Sequence, residues 1–382
     1  MQDWQHAGFG VYVHWPFCLA KCPYCDFNSH VSRVVDHERW RKALVADLKT
    51  ARAMTGPRPV DTIFFGGGTP SLMEAETVAA VITAIDDLWG LQPGAEISLE
   101  ANPTSIEAGR FRDYAAAGVN RVSMGAQALN DADLKALGRM HSAAEAMAAF
   151  DIARAQFDRV SFDLIYARQN QTVDEWKVEL RQAIDMAVDH LSLYQLTIEH
   201  GTRFGELHAR GALRNLPTDD RAADMYFATQ EVAEAAGLPA YEISNHARPG
   251  AESRHNKIYW RYGDYVGVGP GAHGRVTTGA GRVATSAPRD PATWLELAER
   301  GGQPDQEALS AEAMGDEYAM MALRLTEGVD EARFAALSGT AFNASAIDKL
   351  AAEGLLHRKQ GRIAATAKGR PILNYLIREL LV

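Results

Sequence analysis

Short runs of β-branched and aromatic residues alternate with longer segments whose apolar positions recur every three or four residues, and the alternation persists through the first 200 positions. It predicts strands at 9–14, 62–65, 96–100, 121–125, 160–165 and 191–197, separated by amphipathic helices such as the one carrying Trp40, Ala43, Leu44 and Leu48. Local start and stop signals agree: Thr104 and Glu107 after Pro103 have the spacing of a capping box, and Gly118 stands where that helix should end. Strands and helices in strict succession predict an α/β fold with a parallel sheet, an open or partial barrel of six βα units. Folds of this kind place their chemistry in the loops beyond the carboxyl ends of the strands.

After Thr197 the pattern changes. A helix is predicted at about 219–236, then a short strand near Tyr241 and a glycine- and aromatic-rich stretch over 254–275. Pro288 and Pro291 open a new segment, and from Ala311 the order is three helices, a hairpin turning at Gly361 and a closing helix, which is winged-helix-like. We therefore divide the chain into a core at 1–240, a connecting segment at 241–290 and a smaller C-terminal domain at 291–382.

Composition narrows the function. The 382 residues are 47% hydrophobic and 23% charged with a formal charge of −10, so the chain folds around a sizeable core and repels a phosphate backbone. The winged-helix order invites a DNA reading, but nine basic residues face nine acidic ones across 311–382. No nucleic acid partner is expected. Without an N-terminal apolar leader or an uninterrupted apolar stretch of about 20 residues, the expectation is a cytoplasmic protein with no membrane span.

The three cysteines, Cys18, Cys22 and Cys25, crowd into one loop directly after the first predicted strand. An odd, crowded set is not a disulfide framework. Three thiolates spaced C-x3-C-x2-C suit three irons of a 4Fe–4S cluster with the fourth left open; a structural zinc completed by His14 or His30 is the alternative. After the second strand stands Gly66-Gly67-Gly68-Thr69-Pro70, a turn whose missing side chains let a ligand approach the backbone.

Cysteine triplet and glycine loop together resemble the radical S-adenosylmethionine (SAM) superfamily, in which the glycine-rich loop binds the methionine end of SAM on the open iron. The segments Tyr12 to Cys18, Gly66 to Pro70, Glu100 to Pro103, Ser123 to Gln127, Leu137 to His141 and Phe162 to Tyr166 are similar to the oxygen-independent coproporphyrinogen III oxidase family. That resemblance implies that Tyr12, Tyr24, Gly67 and Glu100 contact SAM, with Gly68, Thr69, Gln127, Arg139, Asp163 and Thr197 around the same cavity and His273 near the adenosine. It also implies an electron donor for the cluster.

Two branches of the family differ in ways visible here. The oxidases resemble C-x3-C-x2-C-x-C behind an N-terminal extension, whereas this chain has Phe27 at the fourth position and eight residues before its first strand. The Cys25-Asp-Phe27 run and His255-Asn256-Lys-Ile-Tyr259-Trp260 instead resemble the HemW subgroup, regarded as heme chaperones. The resemblance thus implies heme, bound through His255 with Asn256, Tyr259 and Trp260, and an acceptor protein to receive it. Oxidative decarboxylation of coproporphyrinogen is the alternative, and whether the chain is an enzyme stays open. Read without the resemblance, these aromatics pack as the core of a strand and His255 bonds a backbone carbonyl. One departure from the family loop, Ala167-Arg168-Gln169-Asn170 before Gln171-Thr172, adds a cation that could meet a porphyrin propionate or an acidic partner.

Overall fold

A computed structural model describes residues 3–187 and 189–381. Six parallel strands follow one another in chain order: β1 (Phe9–Trp15), β2 (Val60–Gly67), β3 (Leu91–Ala101), β4 (Arg121–Gln127), β5 (Arg159–Tyr166) and β6 (His190–Gln195). Each of the six is followed by helix, as the alternation predicts, and together they form a partial (β/α)6 barrel. The strands' outer positions, among them Val11, Val13, Ile63, Phe65, Leu99, Val122 and Leu191, are buried beneath the helices. Many of their inner positions are polar, among them Thr62, Ser98, Arg121, Ser123, Ser161 and Ser192. Strands with one greasy and one polar face therefore sort themselves by the period of two alone.

Five further strands extend this sheet, and local pattern foretold only part of them. They are β7 (Asn245–Ala247), β8 (Asp264–Val268), β9 (His273–Thr278), β10 (Gly281–Ser286) and β11 (Asp305–Ala308), giving the order β11-β10-β9-β8-β1-β2-β3-β4-β5-β6-β7. Strand β8 runs parallel to β1, pairing Phe9 with Asp264 and Val13 with Val268, while β7 and β9 to β11 are antiparallel additions. The strand expected near Tyr241 lies a few residues later, as β7. The stretch 254–260 is a helix, Arg254–Trp260, capped by Ser253, whose hydroxyl accepts the Asn256 N–H.

Two local expectations change in detail. β3 starts at Leu91 because its register on β2 jumps from Val60↔Leu91 to Thr62↔Glu96, an irregularity that hides its first half from a period-two reading. Thr104 accepts the Glu107 N–H at 3.3 Å, but the Glu107 carboxylate turns to Ser71 and the Asn102 N–H, so the capping box is only half formed.

Beyond β11, helices Ala311–Ala322, Glu331–Ser338 and Ala344–Ala352, a hairpin (Leu356–Lys359 and Arg362–Ala365) and helix Leu373–Leu381 reproduce the predicted winged-helix-like order. Their core of Tyr318, Phe334, Leu350, Ile363 and Leu376 also takes in Tyr262 from the barrel side. Several basic residues of this unit are bonded within the chain. Arg358 pairs with Glu331 at 2.8 Å, Arg362 bonds the Glu327 and Gly328 carbonyls, and Arg370 bonds that of Glu242.

Candidate cluster and SAM site

Strand β1 delivers the chain at Trp15 into the cysteine loop, and a two-residue ladder, Phe17–Cys18 against His30–Val31, closes that loop at its base. Cys18 is buried; Cys22 and Cys25 are partly exposed. The glycine loop lies directly beneath: the Gly68 N–H donates to the Trp15 carbonyl at 2.7 Å and the Thr69 N–H to that of Phe17 at 2.9 Å. A Cβ on Gly68 would stand 2.9 Å from the backbone of Pro16 and Phe17, and one on Gly67, at φ +115°, 2.6 Å from the His14 ring. Gly68 is thus required by the approach of the cysteine loop, and Gly67 by the His14 ring of β1.

Polar donors from other loops reach two of the three sulfurs, and Ser29 Oγ lies 3.8 Å from the third, Cys25 Sγ. Thr69 Oγ1 donates to Cys18 Sγ at 3.3 Å, and the Arg139 guanidinium donates to Cys22 Sγ at 3.4 Å. Arg139 also bonds Asn102 Oδ1 at 2.6 Å and the Gly125 carbonyl at 2.8 Å, yet its Nε is buried without a partner. Burial pushes the Cys18 and Cys25 thiols and the Tyr24 hydroxyl above their usual ranges. Such a donor set suits a thiolate-bound cluster, whose sulfurs accept hydrogen bonds. The zinc alternative fares worse. His14 has Nδ1 on the Tyr12 hydroxyl at 3.0 Å and Nε2 on the Asn28 carbonyl at 2.9 Å, and His30 Nε2 lies 3.3 Å from Asn28 Oδ1.

Inside the barrel mouth, Tyr12, Glu100 and Asp163 project from β1, β3 and β5. Burial, reinforced by Asp163, pushes the Glu100 carboxyl up to about 8, against a bond from the Gly67 N–H. Burial likewise pushes Asp163 up to about 6, although the hydroxyls of Ser192 and Ser123 oppose it. Two carboxyls held so far above their ordinary range favour a cationic or hydrogen-bonding guest. Gln127 closes β4 in a left-handed conformation, φ +71°, and Thr197 lies exposed just past β6. His273 is exposed at the start of β9, its ring pushed down by burial and by Arg275 and Arg289.

His255 lies elsewhere. Its ring is 1% exposed at the opposite, amino-terminal end of the strands, stacked on Phe64, with Nδ1 2.6 Å from the Thr62 hydroxyl and Nε2 2.7 Å from that of Tyr259. Burial and Arg121 push it down to about 3, so it is neutral. Its partners are hydroxyls on a helix and a strand, not a backbone carbonyl. Asn256 reaches the Tyr241 hydroxyl at 3.4 Å, and Arg324 covers Trp260 at 4.7 Å. Arg168 is not open to a propionate: it is 3% exposed and bonded to Asp133, Glu179 and the Ile165 carbonyl.

Several residues of the mouth escaped the motifs. Asn102 sits inside the Glu100 to Pro103 segment that signalled the site, two positions past the residue singled out there. Asn28 donates to the Pro270 and Arg289 carbonyls and so ties the cysteine loop to the loop before His273 and to the segment after β10. Tyr194 is 42% exposed within β6, an unusual state for a strand interior and a sign that it faces the open lumen.

Comparison with known proteins agrees with this geometry. A radical SAM superfamily model matches residues 12–183, and a HemN C-terminal domain model matches 309–372. The fold is that of Escherichia coli coproporphyrinogen III oxidase HemN, with a TM-score of 0.81 over 99% of this chain and 92% of that one, at 21% identity. Sequence likeness is higher to the mouse mitochondrial radical S-adenosyl methionine domain-containing protein 1, 39% identical over 97% of this chain and 87% of the relative. The heme chaperone HemW of Escherichia coli K12 is 38% identical over 96% of both chains. At that likeness over nearly its whole length, the chain belongs to the HemW family of the radical SAM superfamily.

Proposed function

We propose that this protein binds heme and hands it to an acceptor protein, using a radical-SAM core that holds a 4Fe–4S cluster on Cys18, Cys22 and Cys25. The observation that carries the proposal is the full-length match to the heme chaperone HemW, joined to a cysteine loop whose sulfurs receive Thr69 and Arg139. The likeness to HemN, at 21% identity, is one of fold, so coproporphyrinogen decarboxylation is not favoured.

When bound, the cluster supplies single electrons and SAM supplies a cleavable carbon–sulfur bond. The chain's own residues bind and orient. Gly67, Gly68 and Thr69 present backbone and hydroxyl groups beside the sulfurs, and Glu100 offers a carboxyl that an amino group would ionise. Tyr12, Tyr24, Gln127, Arg139 and Asp163 line the same mouth, with Thr197 and His273 at its rim. An electron donor serves the cluster from outside.

Heme is the cargo, and we place its ligand at His255 beside Asn256, Tyr259 and Trp260. Reaching the iron then requires the ring to leave Thr62 and Tyr259, so loading is coupled to movement of helix Arg254–Trp260. The test is to load the protein with one equivalent of heme, mix it with an apo-hemoprotein and follow the Soret band. Transfer should be saturable and slower than from free heme; heme that never binds, or never leaves, contradicts the proposal. An unchanged heme affinity and spectrum in His255→Ala would sink the ligand assignment alone.

A further inference from the structure

Two of the cluster-loop sulfurs receive a hydrogen bond from a residue of another loop, and both donors touch one side chain. Asn102 accepts from Arg139 at its Oδ1, 2.6 Å away, and its amide nitrogen lies 3.3 Å from Thr69 Oγ1. Arg139 in turn reaches Cys22 and Thr69 reaches Cys18. Asn102 is itself held from behind, its backbone N–H on Glu107 Oε2 at 2.7 Å and its amide 3.4 Å from Oε1. Glu107 is 2% exposed and also receives the Ser71 hydroxyl.

The direction of each bond follows from chemistry. A guanidinium can only donate, so it fixes which end of the amide is oxygen, and the NH2 end must then face Thr69. With that donor occupying a lone pair of Oγ1, the threonine proton is free to point at Cys18. We propose that Asn102 is a positioning residue that sets the reduction potential of the cluster, by aiming one hydroxyl and one guanidinium at two of its three cysteine sulfurs. Donors to thiolate sulfur stabilise the more negative, reduced form and raise the potential. An asparagine can serve both partners because it alone among residues of its size offers an acceptor and a donor side by side; aspartate keeps the acceptor for Arg139 and loses the donor for Thr69.

The inference rests on the cluster reading above, and its test separates the two. The reconstituted full chain would be titrated anaerobically, reading the midpoint potential of the cluster by its visible absorption and by electron paramagnetic resonance. Asn102→Ala, Asn102→Asp and Thr69→Val are each expected to shift the potential negative, and Thr69→Ser to restore it. Asn102→Ala combined with Thr69→Val should shift it by less than the sum of the two, because one acts through the other. A cluster that assembles with unchanged potential in Asn102→Ala, or strictly additive shifts, overturns the inference and leaves the cluster reading standing. If Asn102→Ala does not fold, the Thr69 pair decides: equal potentials in Thr69→Val and Thr69→Ser overturn it. A wild-type chain that assembles no cluster overturns both.

Discussion

The two ends of the barrel are built from the same kind of residue and behave in opposite ways. At the floor, the amino-terminal end of the strands, polar groups are spent on each other: Glu96 with Arg159, Arg159 with Asp189, His190 with Tyr241, and His255 with Thr62 and Tyr259. Helix Arg254–Trp260 lies across that end, and its His255 N–H bonds Glu96 at 3.2 Å. At the mouth, two buried carboxyls, Glu100 and Asp163, carry raised pKa values, Asp163 adding to the rise at Glu100. Opposite charges and hydrogen-bond partners matched to one another close a fold; like-charged carboxyls gathered in one lumen favour a guest that brings the opposite charge or a donor. Heme ligation by His255 would therefore draw on the closed end, and SAM on the open one.

The sharpest way to break the comparison is at Gly68. Gly68→Ala drives a methyl into the Pro16 and Phe17 backbone, which cannot yield as a flexible side chain would. It should cost roughly 1–3 kcal/mol in urea unfolding and weaken cluster retention together. Retention that survives unchanged would show that the glycine serves the ligand rather than the cysteine loop.

Thr62→Val probes the closed end. Leaving the His255 ring without one of its two partners should cost about 1–2 kcal/mol by thermal or urea unfolding while the cluster spectrum stays as in wild type. If His255 is the heme ligand, the same change should also speed heme uptake, because one of the bonds that hold the ring has been removed beforehand.

Acidity separates the ends more gently. Because the folded values of Asp163 and Glu100 lie above those of free carboxyls, the folded chain keeps protons that the unfolded chain releases. The stability this contributes is complete below the unfolded values, near pH 4, and is lost as pH rises through about 6 for Asp163 and about 8 for Glu100. The cluster-free chain should accordingly lose part of its thermal stability between about pH 5 and about pH 8.5, and Glu100→Gln should flatten the upper part of that loss. A profile identical in the variant would mean that the carboxyl is not perturbed.

The smallest effect belongs to neither end. Arg39 and Glu299 form a bidentate pair at 2.6 and 2.9 Å on the surface, where solvent screens it, and Arg39→Ala should leave the urea-unfolding midpoint unchanged. A lowered midpoint would show that this exposed pair holds the fold despite its screening.

Which parts of this were legible in the sequence follows from the range of the forces involved. The six parallel strands announce themselves because their outward residues must be apolar, and the cluster loop because thiolate spacing and glycine are local demands. Helix Arg254–Trp260 was not legible: Asn256, Tyr259 and Trp260 are poor helix formers, and the helix is specified by the Ser253 cap and by the burial of His255 and Ile258 against the barrel. The pairing of β8 with β1 joins residues more than 250 positions apart and leaves no periodic trace. Arg168 read as a free cation because nothing local reveals Asp133 and Glu179 across the fold. Asn102 is a similar case, since its role depends on Thr69 and Arg139, 33 and 37 positions away.

The central claim, a thiolate-bound cluster at the open end of a heme-carrying barrel, meets its most direct test in one anaerobic absorption spectrum. Reconstituted wild-type protein and Cys18→Ala would be recorded before and after one equivalent of heme. The account predicts a broad iron–sulfur absorption in the wild type that the variant lacks, followed by a saturable Soret shift in the wild type. A colourless reconstituted wild type, or a cluster-bearing protein that leaves the heme spectrum untouched, would contradict it.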